Sequence, residues 1–449
     1  MRQRQQSIVA WRRRVNPHAP SKNNEAPPIA YFMNLFPNLT ETFVYREVDA
    51  VRRLGRRVVT FSIRRPGGRE VSPEARHHID STFYFLPVGC LELLMTHLAV
   101  AAAAPIRYVS TFAAVVGGTH VTLRDRLRTL CHFAEAVSVV PTIRALGVRH
   151  IHAHFAVGSA TCAWVVARFL DISFSVTAHA YDIWQDRLLL PEKLDAADFT
   201  VTCTQYSQHY LQQLRPAAAP KIATIYHGVE LKRFAPAERP DGAGLRILSV
   251  GRLVDQKGFA TLLRACALLV AGGRDVRCEI VGDGPLRQAL EADVAALGLH
   301  ERVRFAGWVF QDAMPDLYRT ADVFALACQR APDGDMDGIP NVIWEAMASG
   351  VPVVSTRLSG IPEAVENGVC GLLVQPQDTE ALAAALGRLH DDAVLRHRLG
   401  AAARQRVAGW ASVDDSARRL LERIDALVAA RAAQSQLNGL PHLMAGSDT

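Results

Sequence analysis

The stretch Asp337–Pro362, DGIPNVIWEAMASGVPVVSTRLSGIP, decides how the rest of the chain is read. It sets two carboxylates, Asp337 and Glu345, eight positions apart around a helix start. Asn341 or Pro340 opens the helix, IWEAMA continues it, and Gly350 and Pro352 break it. Asp337 is then expected in the loop before the helix, and Glu345 about one turn inside it. The first N–H groups of a helix have no internal partner and suit an anion. A strand over 351–356 and a glycine turn, Ser359-Gly360-Ile361, follow at once. Two acceptors for sugar hydroxyls beside a phosphate-binding helix end imply a nucleotide-sugar site.

Outward from this stretch the chain alternates strands and helices. Strands are predicted over 29–35, 56–63, 149–155, 173–179, 199–204 and 221–228, with a helix over 42–54. The second half predicts strands over 245–251, 276–284, 303–308, 322–327, 351–356 and 370–375, with helices over 258–271 and 285–297. Short apolar strands separated by helices indicate parallel sheets covered on both faces. APAERPDGAG (235–244), rich in Pro, Gly and Ala, reads as a linker. The predicted class is therefore α/β, with two Rossmann-like domains over 29–234 and 245–405, facing each other across a cleft.

Several motifs carry a family resemblance. The carboxylate pair resembles the E-x7-E signature of retaining GT-B glycosyltransferases of family 4, with Asp337 in place of the first Glu. Ser249–Gly258 matches the SVGR-x4-KG pattern of that family at every fixed position. Ser175–Asp182 is similar to its AHG-x-D segment, with Ala180 where Gly is common, and Tyr226–Glu230 resembles its HGVD element. FPNLTETF (36–43) is similar to the version found in exopolysaccharide transferases of the colanic-acid type. The resemblance implies a GT-B fold, with the helices over 406–435 returning to the N-terminal domain. It also implies that Asp337 contacts the transferred sugar and Glu345 the nucleotide ribose. Asp at the first place keeps the acceptor chemistry and shifts its reach by one methylene.

The residues themselves support particular roles. Gly251 lets a ligand approach the backbone. Arg252 and Lys257, five apart in one loop, can straddle a diphosphate, Arg as a planar fork and Lys as a point charge. They would stabilise the departing nucleoside diphosphate and remove the need for a metal; the alternative is two solvated loop cations. His179 leaves a strand end where open sheets bind ligands. By resemblance it hydrogen-bonds the donor sugar, with Asp182 in the same wall; otherwise it caps a loop. No nucleophile is evident, so front-face displacement is expected, with the departing phosphate taking the acceptor proton. Asn341 opens the nucleotide-binding helix, and Ser359, Gly360 and Ile361 are expected to present backbone N–H groups to sugar or phosphate. Thr40 or Thr42 could contact phosphate or acceptor, or Thr40 could simply cap a helix. His152 and His154 share one strand face without a third ligand nearby, which reads as structural.

Composition narrows the class further. Of the formal charge of +6, Arg2, Arg4, Arg12, Arg13, Arg14 and Lys22 against Glu25 account for most. The first 28 residues thus form a basic tail expected to be disordered, as is the segment 436–449. No basic, aromatic-interleaved face remains for nucleic acid. Without an apolar h-region in the tail, a cytoplasmic location is expected, with a peripheral contact at the inner membrane face as an option. The eight cysteines include no C-x-x-C pair and read as reduced, mostly buried thiols. Asp333-x-Asp335-x-Asp337-Gly imitates a calcium loop, but its twelfth position is Trp344. No metal and no cofactor is expected. The apolar segment 86–118 is interrupted by Glu92, His97, Pro105 and Arg107, so it reads as a non-spanning helix pair, with burial in the core favoured over an interfacial contact. The expected activity is transfer of a sugar from a nucleoside-diphosphate donor to a saccharide or lipid-linked acceptor. A nucleotide-sugar 2-epimerase or a non-catalytic binding scaffold are the alternatives.

Overall fold

The computed structural model describes residues 26–67, 71–236 and 244–438. The basic tail, most of the linker and most of the C-terminal tail lie outside the described residues. Seven strands form the first sheet: β1 (Ile29–Leu35), β2 (Val58–Arg64), β3 (Thr82–Tyr84), β4 (His150–His154), β5 (Ser173–Ala178), β6 (Phe199–Thr202) and β7 (Ile222–Thr224). Their order is β3-β2-β1-β4-β5-β6-β7, and every pairing is parallel. Six strands form the second: β8 (Leu245–Val250), β9 (Val276–Val281), β10 (Val303–Gly307), β11 (Val323–Leu326), β12 (Val353–Thr356) and β13 (Gly371–Val374). They run β10-β9-β8-β11-β12-β13, again all parallel. The architecture is the expected pair of Rossmann-like domains.

Each sheet reverses its strand order once, between β1 and β4 and between β8 and β11. Ligands bind at such switch points, outside the carboxyl ends of the strands. The loops leaving β1, β5 and β8 carry FPNLTETF, the His179 segment and the Arg252–Lys257 segment, so the fold aims all three at the crevice. The strands are apolar on both faces because helices cover both; Ile29, Ala30, Tyr31, Phe32 and Met33 are all buried. Burying one such large side chain stabilises the fold by about 1.5–3 kcal/mol. The strand read over 221–228 shrinks to Ile222–Thr224, because β7 is an edge and the chain then turns toward the crevice. The three-residue edge strand β3 is too short to show a pattern in sequence.

The chain crosses between domains twice, side by side. Val229 donates its N–H to Ala411 (2.8 Å), and Val413 donates back to Val229 (3.3 Å). The final helix, Val413–Asn438, then lies on the first domain. Val413, Ala417, Leu420 and Ile424 recur at helical spacing and bury against Val44, Val48 and Val51 of the helix Thr42–Arg53. Arg56 with Asp425 (2.5 Å) and Arg431 with Asp198 (2.7 Å) pin its length.

Segment 86–118 forms two helices, Cys90–Ala103 and Pro105–Val116, bent by 115° at the break. Among the described residues no single helix is long and apolar enough to cross a membrane. The reading of this segment as core is corrected: only Thr111 and Val115 in the pair are buried. The pair covers the flank of the domain with one edge and leaves the other outside.

Gly228 sits where the two crossings touch, and a Cβ there would lie 2.1 Å from Val413 Cα. Gly228→Ala is expected to cost about 1–3 kcal/mol through forced separation of the crossings, read as a lowered denaturation midpoint. Gly89→Ala, with open space around it, should leave the midpoint unchanged.

Candidate active site

A cavity of about 410 Å³ lies between the carboxyl ends of the two sheets. The first domain lines it with Thr40, Thr42, Phe43, His179, Cys203 and His227. The second contributes Gly251, Arg252, Lys257, Asp337, Asn341 and Glu345. Residues separated by up to some three hundred positions in sequence thus share one space.

On the second domain, close backbone packing builds the floor. Gly282 has φ +133°, and a Cβ there would meet Gly251 O at 2.0 Å. Gly258, at φ +67°, would meet Ala327 O at 1.8 Å. No other residue type fits either position without moving a strand end. Between them Arg252 is exposed and has no side-chain partner among the described residues. Lys257 Nζ lies 2.9 Å from the Asp337 carboxylate. Burial opposes the charge on Lys257, but Asp337, Cys328 and Asp335 outweigh it and hold its pKa above the ordinary value. A permanently charged ammonium is therefore held beside a carboxylate that can share it with a ligand. The helix Asn341–Ala348 starts at this cavity with Pro340 as its N-cap and no side-chain cap; Ile343 N donates to Pro340 O (2.9 Å), which leaves the N–H groups of Asn341 and Val342 without a backbone acceptor among the described residues.

Glu345, one turn further in, is 2% exposed. It accepts from Arg46 Nη1 and Nη2 (3.2 and 3.3 Å), Gln311 Nε2 (2.9 Å) and Tyr318 OH (3.1 Å). Arg46 belongs to the other domain, so this pair closes the cleft from behind. Sequence reading missed Arg46 because nothing local distinguishes it from a solvated helix arginine.

On the first domain a hydrogen-bonded chain leads to His179. Tyr31 OH donates to Glu47 Oε1 (3.0 Å), which His154 Nε2 also approaches (3.1 Å). His154 Nδ1 is 3.3 Å from His179 Nε2, and His179 Nδ1 is 3.5 Å from Cys203 Sγ. Burial works against the Glu47 carboxylate, but His154, His152 and Tyr31 prevail and bring its pKa to about 2. An ionised Glu47 can only accept, so His154 donates to it from Nε2. His179 has one ring nitrogen on His154 and the other on Cys203, and both His179 and Cys203 line the cavity. Burial, followed by His227, His154 and His152, holds His179 well below the ordinary imidazole value, hence neutral. His154 is thus one bond from the site, whereas the sequence reading treated it as structural only. His152 fits that reading, bonded to Ser175 Oγ (2.8 Å) and Thr177 Oγ1 (2.9 Å). His227 donates from Nδ1 to Asn341 Oδ1 (3.1 Å), stacks on Phe43, and leaves a buried Nε2 without a partner.

Three expectations are corrected. Asp182 does not reach the cavity: it is fully buried, accepting from Ala156 N (2.6 Å) and His179 N (2.8 Å). Burial lifts its pKa to about 7 despite those N–H groups. It shapes the His179 loop instead, helped by Lys193, which donates to the carbonyls of Ala156, Val157 and Leu188. Ser359, Gly360 and Ile361 do not line the cavity either. Gly360 abuts Thr204, and Ile361 N donates to Leu358 O. Beside them Glu363 accepts from Gln205 N (2.7 Å) and Tyr206 N (2.8 Å) at a helix start of the other domain, so this turn joins the domains. Finally, Thr40 is not a cap, since the N-cap position is Glu41, without a side-chain bond, and the Thr40 hydroxyl bonds Asn38 Oδ1 (3.3 Å). Thr40 and Thr42 do face the cavity.

Of the four sets of ligating atoms that converge among the described residues, two lie at or beside the cavity: Glu47 with His152 and His154, and Cys203 with His179 and His227. The first supplies the third group that the H-x-H pair lacked in sequence, but its imidazole nitrogens are already bonded to protein partners.

Two Rossmann-like sheets meeting across this cleft define the GT-B glycosyltransferase fold. Residues 244–392 match the family described as Glycosyl transferases group 1, so the chain carries that domain over its second half. Amylovoran biosynthesis glycosyltransferase AmsK of Erwinia amylovora is 40% identical over 172 residues, covering 38% of this chain and 42% of AmsK. The GDP-mannose-dependent alpha-(1-6)-phosphatidylinositol monomannoside mannosyltransferase of Mycolicibacterium smegmatis is 34% identical over 221 residues, 46% of this chain and 57% of that one. The chain thus matches about two fifths to three fifths of the length of these curated relatives. Anabaena HepE, solved in complex with UDP and glucose, shares the fold at a TM-score of 0.66 and 19% identity, covering 90% of this chain and 100% of HepE.

The relay leads to one expectation. Glu47→Gln, which removes the carboxylate that His154 donates to, should lower turnover about 10–100-fold with little change in donor KM; steady-state kinetics would show it. The neutral histidines lead to another. His227 is brought to about 4 and His152 to about 3, in each case by burial first. The unfolded chain binds protons near 6.5 that the native state refuses, so stability rises with pH in this window. It should be complete above about pH 6.5 and fall by up to about 1.4 kcal/mol per pH unit for each such histidine down to about pH 4. A denaturation midpoint that stays flat between pH 7 and 5 would contradict this.

Proposed function

We propose that this protein is a retaining, metal-independent glycosyltransferase acting in surface or exopolysaccharide assembly. It moves a sugar from a nucleoside diphosphate to a saccharide or polyprenyl-diphosphate-linked acceptor. The observation that carries this reading is the meeting of Arg252, Lys257, the Asn341 helix start, Asp337, Glu345 and His179 around one cavity.

In this reading the donor diphosphate lies against Arg252, Lys257 and the helix start. Fixed positive charge there stabilises the oxygen that gains charge as the bond to the sugar breaks. Those two cations supply the neutralisation that a divalent ion supplies elsewhere, which is the ground for metal independence. Asp337, already holding Lys257, offers its free lone pairs to a sugar hydroxyl. Glu345, fixed by Arg46, Gln311 and Tyr318, accepts from a ribose hydroxyl without reorganising. Neutral His179 lies beside the donor sugar in the cavity wall. Asp337 is engaged with Lys257, and Glu345 with Arg46, Gln311 and Tyr318; in this reading neither is the nucleophile, the acceptor attacks the face that the phosphate leaves, and the phosphate oxygen receives its proton. The name of AmsK supports the assignment to polysaccharide assembly. The mannosyltransferase is named for GDP-mannose and HepE was solved with UDP, so both nucleotides belong in the test.

The experiment is nucleoside diphosphate release from purified protein over a panel of UDP- and GDP-sugars, with EDTA present. Release from one donor is expected, unchanged by EDTA and reduced about 10²–10³-fold in Lys257→Ala. Release only with added Mn²⁺ would overturn metal independence. An isomerised donor sugar would point to an epimerase, and no release from any donor to a binding scaffold.

A further inference from the structure

Nineteen large apolar side chains are exposed among the described residues, and ten of them fall between residues 91 and 127. They are ordered by helix geometry. Leu91, Leu94, Met95 and Leu98 follow the i, i+3, i+4, i+7 rule on one face of Cys90–Ala103. Ile106 and Val109 are three apart on Pro105–Val116, and Leu123 and Leu127 four apart at the start of the helix Leu123–Ala145. Ile106 is 85% exposed and Leu123 73%. The inner side of the same layer is firmly seated. His97 Nδ1 meets Tyr108 OH at 2.7 Å, and the Tyr108 ring packs edge-on against Phe133. The outer face is therefore a constructed surface rather than a loose segment, and apolar patches of this kind mark interaction sites.

Charge and shape say what covers it. Arg124 and Arg126, beside Leu123 and Leu127, are exposed, and their side chains have no partner among the described residues. The helix pair passes a length-and-composition test for a membrane span, but its 115° bend prevents a straight crossing. Aliphatic stripes that lie flat, flanked by unpaired arginines, fit the boundary between acyl chains and anionic head groups. The surface also connects to the cavity. Arg128 grips Asp186 (3.2 and 2.5 Å), and Thr119 N donates to Glu192 Oε1 (2.7 Å). Asp186 lies five residues beyond Tyr181, which lines the cavity, and Glu192 sits in the next helix, Leu190–Ala196.

We infer that the outer face of the helices Cys90–Ala103, Pro105–Val116 and the first turn of Leu123–Ala145 docks on the anionic leaflet of a lipid bilayer. Docked so, the cleft opens beside the leaflet, and the acceptor is of the lipid-linked class. That last step rests on the proposed transferase reading; the docking itself does not.

The test is flotation of the full chain with phosphatidylglycerol/phosphatidylcholine vesicles against phosphatidylcholine alone. The native chain should float with the anionic vesicles. The double variant Leu94→Glu, Leu98→Glu should lose at least about 10-fold in bound fraction, and Arg124→Glu with Arg126→Glu should lose the preference for phosphatidylglycerol. Both variants change exposed positions, so an unchanged melting curve and unchanged nucleoside diphosphate release without vesicles are expected. No flotation of the native chain, or equal flotation of native chain and folded variants, would overturn the inference. So would a concentration-dependent dimer, seen without vesicles and dispersed by the leucine variants, because the occupant would then be a second copy. Normal flotation with no release from any donor would remove the transferase reading and leave the docking surface in place.

Discussion

The buried pair between Arg46 and Glu345 is the interaction on which the rest of the structure depends. Both side chains are only 3% exposed, and they come from different domains. A buried ion pair adds little net stability over a well-packed apolar equivalent, but loss of one partner strands a charge at a cost of about 3–5 kcal/mol. Its effect is thus specificity of arrangement. With Arg46 in place Glu345 can take one orientation, and the two sheets can take one relative position. Glu363 on the helix start at Gln205, His227 on Asn341 and the paired crossings at Val229 and Ala411 act in the same sense. The geometry of the cavity follows from these cross-domain bonds.

Within the cavity the two domains divide the electrostatic work. The second domain supplies fixed positive charge at Arg252 and Lys257, balanced by Asp337 so that the lysine remains protonated although enclosed. The first supplies the imidazoles of His179 and His227, kept neutral by burial. A charged His179 beside Arg252 and Lys257 would add a like charge where a sugar, not a phosphate, is to lie. Asp182 and Lys193, both fully enclosed, spend their hydrogen bonds on the backbone around residues 156–188. They hold the His179 loop and leave no ionisable group of their own facing the ligand space.

The exposed helix layer and the cleft are built from one continuous segment of the first domain. Residues 86–145 cover the flank of the sheet, and Arg128 ties them to Asp186, five residues beyond the cavity-lining Tyr181. The proposed docking surface and the cavity are therefore joined through one continuous segment of the first domain. For an enzyme with a water-soluble donor and a lipid-borne acceptor, that relation would fix the path between the two.

What was legible in the sequence was local. Strand–helix alternation gave the paired parallel sheets, because apolar runs between helices have few other ways to be covered. Asp337, Asn341 and Glu345 were readable because a helix start fixes their spacing and direction within eight residues. Arg252 and Lys257 were readable because a glycine-flanked loop at a strand end leaves few positions for a cation. Sequence alone thus determined the fold class and, for the Arg252–Lys257 and Asp337–Glu345 motifs, residues that line the cavity. Only the tertiary structure decided which partners they meet. Arg46 is 299 positions from Glu345, and Glu47 is 107 from His154. Asp182 turned inward, the Ser359–Ile361 turn went to the domain contact, and segment 86–118 came to the surface. The physical reason is the same in each case. A side chain's burial and partners are set by the packing of distant elements, and no local pattern encodes the sum of those contacts.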